Sequence, residues 1–322
     1  MPAALSASGL ARAHACPAAF ALPACSRDGA DARRGREIHL FLQALADGTP
    51  TDDALDLVPD PEVRAWCARI DRRQVPVGAE SEVAMAYHVT TGQARKLGPA
   101  GHRDYGSLAA AEIPGTADLV GWASSIGGDG PVPWVLDWKT VQFDHDAETS
   151  RPQLEFYALC VARITGAESV ECRVRVVSED GAIGDGGTWR LEWDDLARIA
   201  AQTRTALEAV RNARLERAAH EARSVAPWTP DVGEGPACRY CPAFGACPGK
   251  RAAVAAVLGS DPHGITEADA GVAHLRARDA ITAAERVKDV VRLLVDQHGS
   301  LSTGDGRIVR RNGAGALVVV RA

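Results

Sequence analysis

The 322-residue sequence contains no long hydrophobic run and no low-complexity tract. A membrane-spanning helix needs roughly 18–20 consecutive apolar residues, and no stretch of this chain approaches that length. A hydrophobic fraction of 46% is instead enough for one large packed domain with attachments, or for two domains. The apolar stretch near the start is short and interrupted by prolines, which suits an export signal poorly. We therefore predict a cytoplasmic protein that has no membrane partner.

The sequence also lacks an excess of positive charge, since its formal net charge is −6. This does not exclude a nucleic-acid partner, because an enzyme can hold DNA in a local basic groove and through metal ions while the rest of its surface is acidic. Short basic runs lie at residues 33–36 and 95–103, and each is better explained as a solvated face than as a DNA-binding groove. A G-x-x-x-x-G-K-[ST] loop is absent, so any helicase that works with this protein must be a separate chain.

Hydrophobic periodicity predicts an α/β protein. Helices are expected over residues 31–46, 61–72, 152–164 and 266–298, and a long helix is expected to begin after Asp194 and Asp195. Strands are expected over residues 82–89, 115–122, 133–140, 172–177 and 188–193, and residues 301–321 predict a small hairpin that turns near Asp305. This order predicts an α/β core with added elements at both ends.

Two apolar strands carry acidic residues that point to a metal site. Asp118 lies in one strand, and Asp137 and Lys139 lie in the next. Residues two apart on a strand point to the same face, so Asp137 and Lys139 project together. If the strands adjoin, two carboxylates and an ammonium converge, and hard oxygen ligands suit Mg²⁺ or Mn²⁺. The alternative is a simple Asp–Lys salt bridge within a sheet.

Two helical motifs flank these strands. The segment from Gly35 to His39 places a histidine on the first long helix, and Gln153 and Tyr157 stand one turn apart on a later helix. With its G-x-x-x-H, G-x-x-D, D-x-K and Q-x-x-x-Y motifs in this order, the sequence resembles the PD-(D/E)XK nuclease superfamily, specifically its RecB/Cas4-like branch. The resemblance spans roughly residues 5–250, and its one departure is Ala117, where proline is usual.

This resemblance implies a restriction-endonuclease-like fold, in which helices flank a central mixed sheet. It also implies a metal-dependent DNA nuclease, an exonuclease that prefers single-stranded DNA or DNA with free ends. Glu112 precedes the strand of Asp118 and is a possible substitute for it as an acidic ligand, but it is not the favoured one. The residues that the resemblance assigns are His39, Asp118, Asp137 and the main-chain carbonyl of Trp138 as ligands of Mg²⁺ or Mn²⁺, Lys139 as the catalytic lysine, and Gln153 and Tyr157 as residues that position DNA or the lysine.

Three of the eight cysteines crowd into one Pro- and Gly-rich segment, where Cys238, Cys241 and Cys247 form a C-x2-C-x5-C pattern. Such clustering is typical of metal binding and unlike a secreted disulfide scaffold. A closed site needs a fourth thiolate. Three other cysteines fall in predicted helices or a buried strand, where a free cysteine behaves as a small apolar residue. Cys16 and Cys25 remain as candidates, and proline follows Cys16 as it follows two of the three clustered cysteines.

The stretch from Leu5 to Pro17 also resembles the amino-terminal signature of the iron–sulfur members of this nuclease branch. That resemblance implies a [4Fe–4S] cluster held by Cys16 and the three clustered cysteines, Cys238, Cys241 and Cys247. Zn²⁺ is the alternative, because it also accepts four thiolates. The predicted organisation is an amino-terminal segment (1–30), a nuclease core (31–225), a cysteine-rich cluster loop (226–260), and a carboxy-terminal helix with a hairpin of unknown role (261–322).

Two alternative functions are consistent with the same motifs and involve no catalysis. One is a DNA-holding scaffold subunit with a nuclease-like fold, and the other is a zinc-stabilised interaction protein. The sequence leaves open the oligomeric state, the polarity of cleavage and the pathway, whether repair, phage recombination with a partner protein, or CRISPR adaptation. Relatives that lose their chemistry usually lose an acid or the lysine, whereas every motif residue is present here. The nuclease is therefore the favoured interpretation.

Overall fold

The computed structural model of the protein describes residues 5–24, 30–98, 105–123, 131–140, 147–224, 226, 228–233, 238, 241–243, 246–250, 270–302, 307–311 and 317–321. The chain divides into two compact units. The first comprises Met1–Ala21, Arg27–Trp228 and Gly233–Ala237, and the second comprises Leu22–Ser26, Thr229–Val232 and Cys238–Ala322.

A six-stranded mixed sheet forms the centre of the first unit. Its strands lie in the order β2-β1-β3-β4-β5-β6. All neighbours are antiparallel except β4 and β5, which are parallel and are joined by a helix, as a parallel pair requires. The strands are β1 (Glu80–His88), β2 (Gln93–Lys96), β3 (Glu112–Ala123), β4 (Val132–Thr140), β5 (Val170–Val177) and β6 (Ile183–Leu191).

One face of this sheet is covered by α5 (Ala147–Thr165) and α6 (Trp193–Glu221), together with the amino-terminal α1 (Leu10–Ala15). The other face is covered by α2 (Ala30–Ala46), α3 (Thr51–Asp56) and α4 (Pro61–Cys67). Strand alternation divides the core between the two layers, as β4 illustrates. Val135 packs in the layer of α5, whereas Leu136 and Trp138 pack in the layer of α2. The predicted α/β core with a mixed sheet between helices is thus confirmed.

The second unit contains α7 (Ala270–His298) and a three-stranded antiparallel sheet of β7 (Ser300–Ser302), β8 (Arg307–Arg311) and β9 (Leu317–Arg321). Arg311 holds the small sheet against the helix through an ion pair with Asp296, with 2.6 Å between Nε and Oδ1. The sequence predicts a two-stranded hairpin here, and the structure adds a strand. The predicted turn near Asp305 lies outside the described residues.

Several boundaries differ from the sequence-based expectations for local reasons. Helix α5 begins at Ala147 and contains Pro152 in its interior, although proline favours the first turn of a helix. Helix α6 begins at Trp193, because Glu192 and Asp195 form a reciprocal capping box. The sequence also failed to predict the short elements α3 and β2. In the described part of the chain, no helix is both long enough and apolar enough to cross a membrane.

Candidate metal centre

The two acids predicted from the strand motifs lie on adjacent strands. The β3–β4 register pairs Leu119 with Leu136, so the next step along the antiparallel pair sets Asp118 level with Asp137. Both carboxylates are buried, at 8% and 2% exposure. A buried charge is costly unless it is paired or binds a metal. The sheet therefore brings together two carboxylates that need positive charge beside them.

Lys139 supplies part of that charge. Its Nζ lies 2.5 Å from Asp137 Oδ2, as expected for residues two apart on one strand. Burial alone would lower the pKa of Lys139, but the carboxylates of Asp137 and Asp118 raise it above the usual value. Burial in turn raises the pKa of Asp137, although Lys139 opposes that effect. Lys139 is thus a fixed ammonium at neutral pH.

His39 reaches the site from α2. This helix buries Ile38 and Leu42 beneath the sheet, and His39 Nδ1 lies 3.3 Å from Asp118 Oδ1. Burial alone would lower the pKa of His39, but the Asp118 carboxylate raises it above the usual value. In the absence of another cation, the imidazole can hold a proton that partly balances the buried acid.

The main chain of β4 fixes the other oxygen of Asp118. The Trp138 N–H donates to Asp118 Oδ2 over 2.7 Å, and the Trp138 side chain is buried in the layer of α2. Burial alone would raise the pKa of Asp118, but His39, Lys139 and the Trp138 N–H hold it below the usual value. Asp118 is therefore an oriented carboxylate that stays ionised.

Gln153 and Tyr157 join the site from one face of α5. Gln153 Nε2 donates to Asp137 Oδ1 over 3.3 Å and to the Tyr157 hydroxyl over 2.8 Å. Burial, followed by the charge of Asp137, raises the pKa of Tyr157 well above its usual value, so the phenol stays protonated. All the side chains that the motifs assign to catalysis therefore lie around the two acids.

The glycines of the motifs have a steric role. A Cβ at Gly115, three residues before Asp118, would lie 2.6 Å from Tyr157 Cε1 and 2.5 Å from the Cβ of Ala7. A Cβ at Gly35 would lie 3.3 Å from Thr140 Oγ1. The first contact is closer than real Cβ atoms allow, so Gly115 lets α5 approach the strand that carries Asp118.

Sequence reasoning missed Glu82. Its carboxylate oxygen, a ring nitrogen of His39 and an oxygen of Asp118 all lie within 4.8 Å of one another. Glu82 is 5% exposed and lies in β1, next to the strand of Asp118. In the sequence, Glu82 is the first residue of a predicted strand and belongs to none of the four motifs. The one sequence feature that could have indicated a ligand is an acidic residue at the start of an apolar strand.

Glu112, by contrast, lies away from these residues and has a structural partner. Arg95 Nε and Nη2 donate to its two carboxylate oxygens over 2.8 and 3.0 Å, and the Ala109 N–H donates over 2.8 Å. The hydrogen bonds from Arg95 lower the pKa of Glu112 to about 2. Its charge is satisfied by the protein, so Glu112 is not a candidate ligand.

We expect Glu112→Gln to lower the free energy of unfolding by about 1–2 kcal/mol at pH 7, because it breaks a charge-assisted bidentate pair. A depressed pKa in the folded state contributes stability that is present above the ordinary pKa of the glutamate. That contribution should disappear as the pH falls from about 4.5 to about 2. Urea unfolding of both proteins between pH 7 and pH 3 measures this, and equal stabilities throughout would contradict it.

The three clustered cysteines lie in the second unit. Cys241 is buried, Cys238 and Cys247 are partly buried, and the Cys241 N–H donates to the Cys238 carbonyl over 3.2 Å. Helix α7 supports this segment, because Arg286 Nη1 donates to the Cys241 carbonyl over 2.6 Å and Asp279 forms an ion pair with the buried Lys250. The three sulfurs do not lie within 4.8 Å of one another.

Three other cysteines are buried in the first unit. Cys67, Cys160 and Cys172 are fully buried, and burial raises the pKa of each thiol, to about 12 for Cys67. Such thiols are poor ligands and nucleophiles. Cys16 lies in the first unit, at the end of α1, and is 8% exposed. The competing candidate Cys25 lies outside the described residues.

Comparisons with known proteins give one informative match. A model of the PD-(D/E)XK nuclease superfamily matches residues 4–248, which is more than half of the chain. No curated protein matches the chain significantly. A solved structure titled "Crystal structure of SSO0001" is 15% identical, covers 66% of this chain and 83% of its own, and has a TM-score of 0.26. That structural similarity is too low to support an inference about fold or function, so the family match stands by itself.

Proposed function

The chain belongs to the PD-(D/E)XK nuclease superfamily, and from that premise we propose that it is a RecB/Cas4-like exonuclease that hydrolyses phosphodiester bonds of single-stranded DNA. Membership of this superfamily suggests a nuclease that uses a divalent metal and acts on DNA. The exonuclease mode, the strand preference and the branch are the finer parts of the proposal, and they depend on the motifs and on the site.

The convergence of the motif residues carries the proposal. An ordinary salt bridge in a sheet requires only Asp137 and Lys139, whose charged atoms lie 2.5 Å apart. Here a second buried carboxylate, Asp118, lies beside them with an imidazole at 3.3 Å. When His39 is neutral, as a metal-ligating imidazole must be, two buried carboxylates and one ammonium leave net negative charge, which a protein core does not tolerate without compensation. Such an excess of carboxylate over positive charge is typical of a site that binds a cation.

The donor set fits Mg²⁺ or Mn²⁺. Carboxylate oxygens are the ligands these ions prefer, and an imidazole favours Mn²⁺ of the two. We assign His39, Asp118, Asp137 and the main-chain carbonyl of Trp138 as ligands. A bound divalent cation supplies Lewis-acid polarisation of the phosphodiester and a lowered pKa for an attacking water.

The remaining residues orient the reacting groups. Lys139 keeps its proton next to Asp137 and offsets the negative charge that develops on the phosphate. Gln153 holds Asp137 through one oxygen while Lys139 contacts the other, so the carboxylate cannot rotate freely. Tyr157 anchors the Gln153 amide. In this assignment Gln153 and Tyr157 position the metal-binding carboxylate and the lysine, as the motif pattern implies.

One exposed aromatic residue supports the single-strand preference. Trp122 lies on β3, four residues beyond Asp118, and is 54% exposed, whereas Trp134 and Trp138 are buried in the core. Exposed aromatic rings stack with unpaired bases and do so with little regard to sequence. Four strand residues span roughly 13 Å, so Trp122 is the tryptophan we assign to contact with an unpaired base of the bound strand away from the scissile bond.

We further propose a [4Fe–4S] cluster held by Cys16, Cys238, Cys241 and Cys247. The spacing of the three late cysteines and the anchoring of Cys241 by Arg286 support a stiff ligand loop. The elimination of the fully buried cysteines leaves Cys16 and Cys25, and the resemblance of the stretch from Leu5 to Pro17 to the iron–sulfur members of the branch favours Cys16 as the fourth ligand. Zinc on the same four thiolates is the alternative that metal analysis distinguishes.

The test uses anaerobically purified protein with linear and circular single-stranded DNA and with duplex DNA, each labelled and incubated with Mn²⁺ or with EDTA. We expect linear single strands to be shortened from an end, circles to remain intact, and EDTA to stop the reaction. An Asp118→Asn protein prepared in parallel controls for contaminating nuclease.

Each other outcome has a defined meaning. Cleavage of circles would replace the exonuclease with an endonuclease, and faster degradation of duplex DNA would contradict the single-strand preference. Binding of DNA without cleavage, with Mn²⁺ and with Mg²⁺, would replace the enzyme with a DNA-holding scaffold.

A further inference from the structure

Glu82 has an unusual backbone for a strand residue. Its φ is +45°, and among the described residues it is the one non-glycine with a positive φ. The left-handed region is disfavoured for residues with a side chain, and such a residue stays there only where the surrounding structure holds it. It lies between Ser81 and Val83, which are both buried. Flanking structure therefore imposes this conformation in the interior of β1.

This conformation changes the face that the strand presents. On one side of Glu82, Ala79 packs with the layer of α2, while on the other side Val83 packs with the layer of α5. Ala79 directly precedes β1, and residues 79 and 83 would share a face if the regular strand extended back by that one residue. The irregularity therefore turns the chain at Glu82.

The neighbouring strand changes faces at the matching position. Ala117 packs with the layer of α5 and Leu119 with the layer of α2, although residues two apart normally share a face. The β1–β3 register pairs Ser81 with Leu119 and Val83 with Ala117, which sets Glu82 opposite Asp118. Both strands are thus irregular where they carry an acid, and the two carboxylates are directed into one space.

The two carboxylates share that space with one imidazole. The donor atoms of Glu82, Asp118 and His39 lie within 4.8 Å of one another, and both acids are more than nine-tenths buried. Two like charges at this separation repel, and burial increases the repulsion. Lys139 is already paired with Asp137. A divalent cation between the two acids would offset this repulsion and take an oxygen ligand from each of them.

From this geometry we infer that Glu82 is a further ligand of the divalent cation, sharing it with His39 and Asp118. The inference rests on the metal site of the proposed function and adds to it a residue that the motifs do not contain. A carboxylate from β1 makes the site more negative, so the protein binds Mn²⁺ more tightly than His39, Asp118 and Asp137 would alone.

The first test is Mn²⁺ binding by the whole protein, followed by calorimetry or electron paramagnetic resonance without DNA. We expect Glu82→Gln, which keeps the size of the side chain, to weaken Mn²⁺ binding at least roughly tenfold. In EDTA the same variant should unfold at the same temperature as the wild type or higher, because it removes repulsion with Asp118. Addition of Mn²⁺ should then raise its unfolding temperature less than it raises that of the wild type.

Glu112→Gln is the matched control, since Glu112 begins the neighbouring strand and is paired with Arg95. It should show the opposite pattern, with lower stability in EDTA and unchanged Mn²⁺ affinity. If Glu82→Gln fails to fold, Glu82→Asn replaces it, because asparagine tolerates the left-handed backbone better than most residues. The expected loss of affinity is the same.

The outcomes separate this inference from the proposed function. Wild-type Mn²⁺ affinity in the Glu82 variants would overturn the inference, even if the wild type cleaves DNA, and lower stability in EDTA together with unchanged affinity would make Glu82 a structural residue. Weaker Mn²⁺ binding in a protein that cleaves no DNA would support the ligand and reject the nuclease. A wild type that binds no Mn²⁺ would overturn both.

Discussion

Replacing Lys139 with alanine is expected to lower the rate of DNA hydrolysis by roughly 10²–10⁴-fold, the range in which single charge-stabilising or proton-transferring groups act. The ammonium lies in the partly closed site with 23% of its side chain exposed, and its raised pKa keeps it charged at neutral pH. A positive charge fixed there stabilises the developing negative charge of the phosphate without any rearrangement. Single-turnover cleavage of labelled DNA measures the loss.

The same substitution should leave Mn²⁺ binding intact or make it tighter. Lys139 competes with any bound cation for Asp137, and its charge also acts on Asp118. Its removal frees carboxylate charge for the metal. A catalytic lysine therefore predicts a protein that is loaded with metal but inactive, whereas a purely structural ion pair predicts lower stability with little change in rate.

Arg73→Ala is a suitable control, because this guanidinium is 89% exposed and pairs with Asp71 on the surface of the same unit. Its loss should change neither the rate nor Mn²⁺ binding, since exposed ion pairs contribute little. A Lys139→Ala protein that cleaves DNA within about threefold of the wild type would contradict the assignment. Asp137 and Lys139 would then be the ordinary salt bridge that a lone D-x-K triplet suggests.

The sequence predicts this part of the site well because strand geometry is regular there. Alternation alone places Asp137 and Lys139 together, and helical spacing alone places Gln153 and Tyr157 on one face. Alternation does not show which strand lies beside β4. The ordered motifs provided that by resemblance, and the β3–β4 register then sets Asp118 level with Asp137.

The role of Glu82 was not predictable, because strand geometry is irregular at this residue. Its carboxylate reaches the site because β1 and β3 both lose their regular alternation at the same level. A period of two applied to β1 gives no sign of a positive φ at a residue with a side chain. Strand β2 was missed because it is short and largely exposed, which leaves no alternation to detect. Sequence patterns therefore fail at Glu82 because the strand is irregular there, and at β2 because the strand is mostly exposed.

The carboxy-terminal helix illustrates a contact that no pattern in the sequence suggests. Helix α7 was predicted from its periodicity, but its role was not. Asp279 and Arg286 are seven residues apart, so they lie on one side of the helix. Each contacts the cysteine-rich segment, through Lys250 and through the Cys241 carbonyl. We interpret α7 as a support for the cysteine loop.

Replacing Cys241 with alanine is expected to remove the proposed cluster and, with it, much of the stability of the second unit. Thiolate ligation contributes directly to folding, and structural zinc sites illustrate the scale with apparent binding free energies of about 10–16 kcal/mol. We expect anaerobically purified wild type to be brown and to lose its visible absorbance in the variant. Thermal unfolding should begin at a clearly lower temperature, and DNA cleavage should fall as the unit loosens.

Cys160→Ala separates ligation from packing. Both sulfurs are buried, so each substitution removes a similar apolar volume, at a cost of roughly 1–2 kcal/mol. Cys160 lies among the apolar residues of α5, and its loss should leave the colour and the iron content unchanged.

The main-chain contacts of Cys241 make the comparison sharper. Arg286 donates to its carbonyl and its own N–H donates to Cys238, and both hydrogen bonds survive the change to alanine. A large loss of stability in Cys241→Ala alone is then attributable to the thiolate. A colourless wild type with bound zinc would replace the cluster by a zinc site on the same ligands. A Cys241→Ala protein as stable and as active as Cys160→Ala would exclude both metals, and α7 would then support a loop that folds without a ligand.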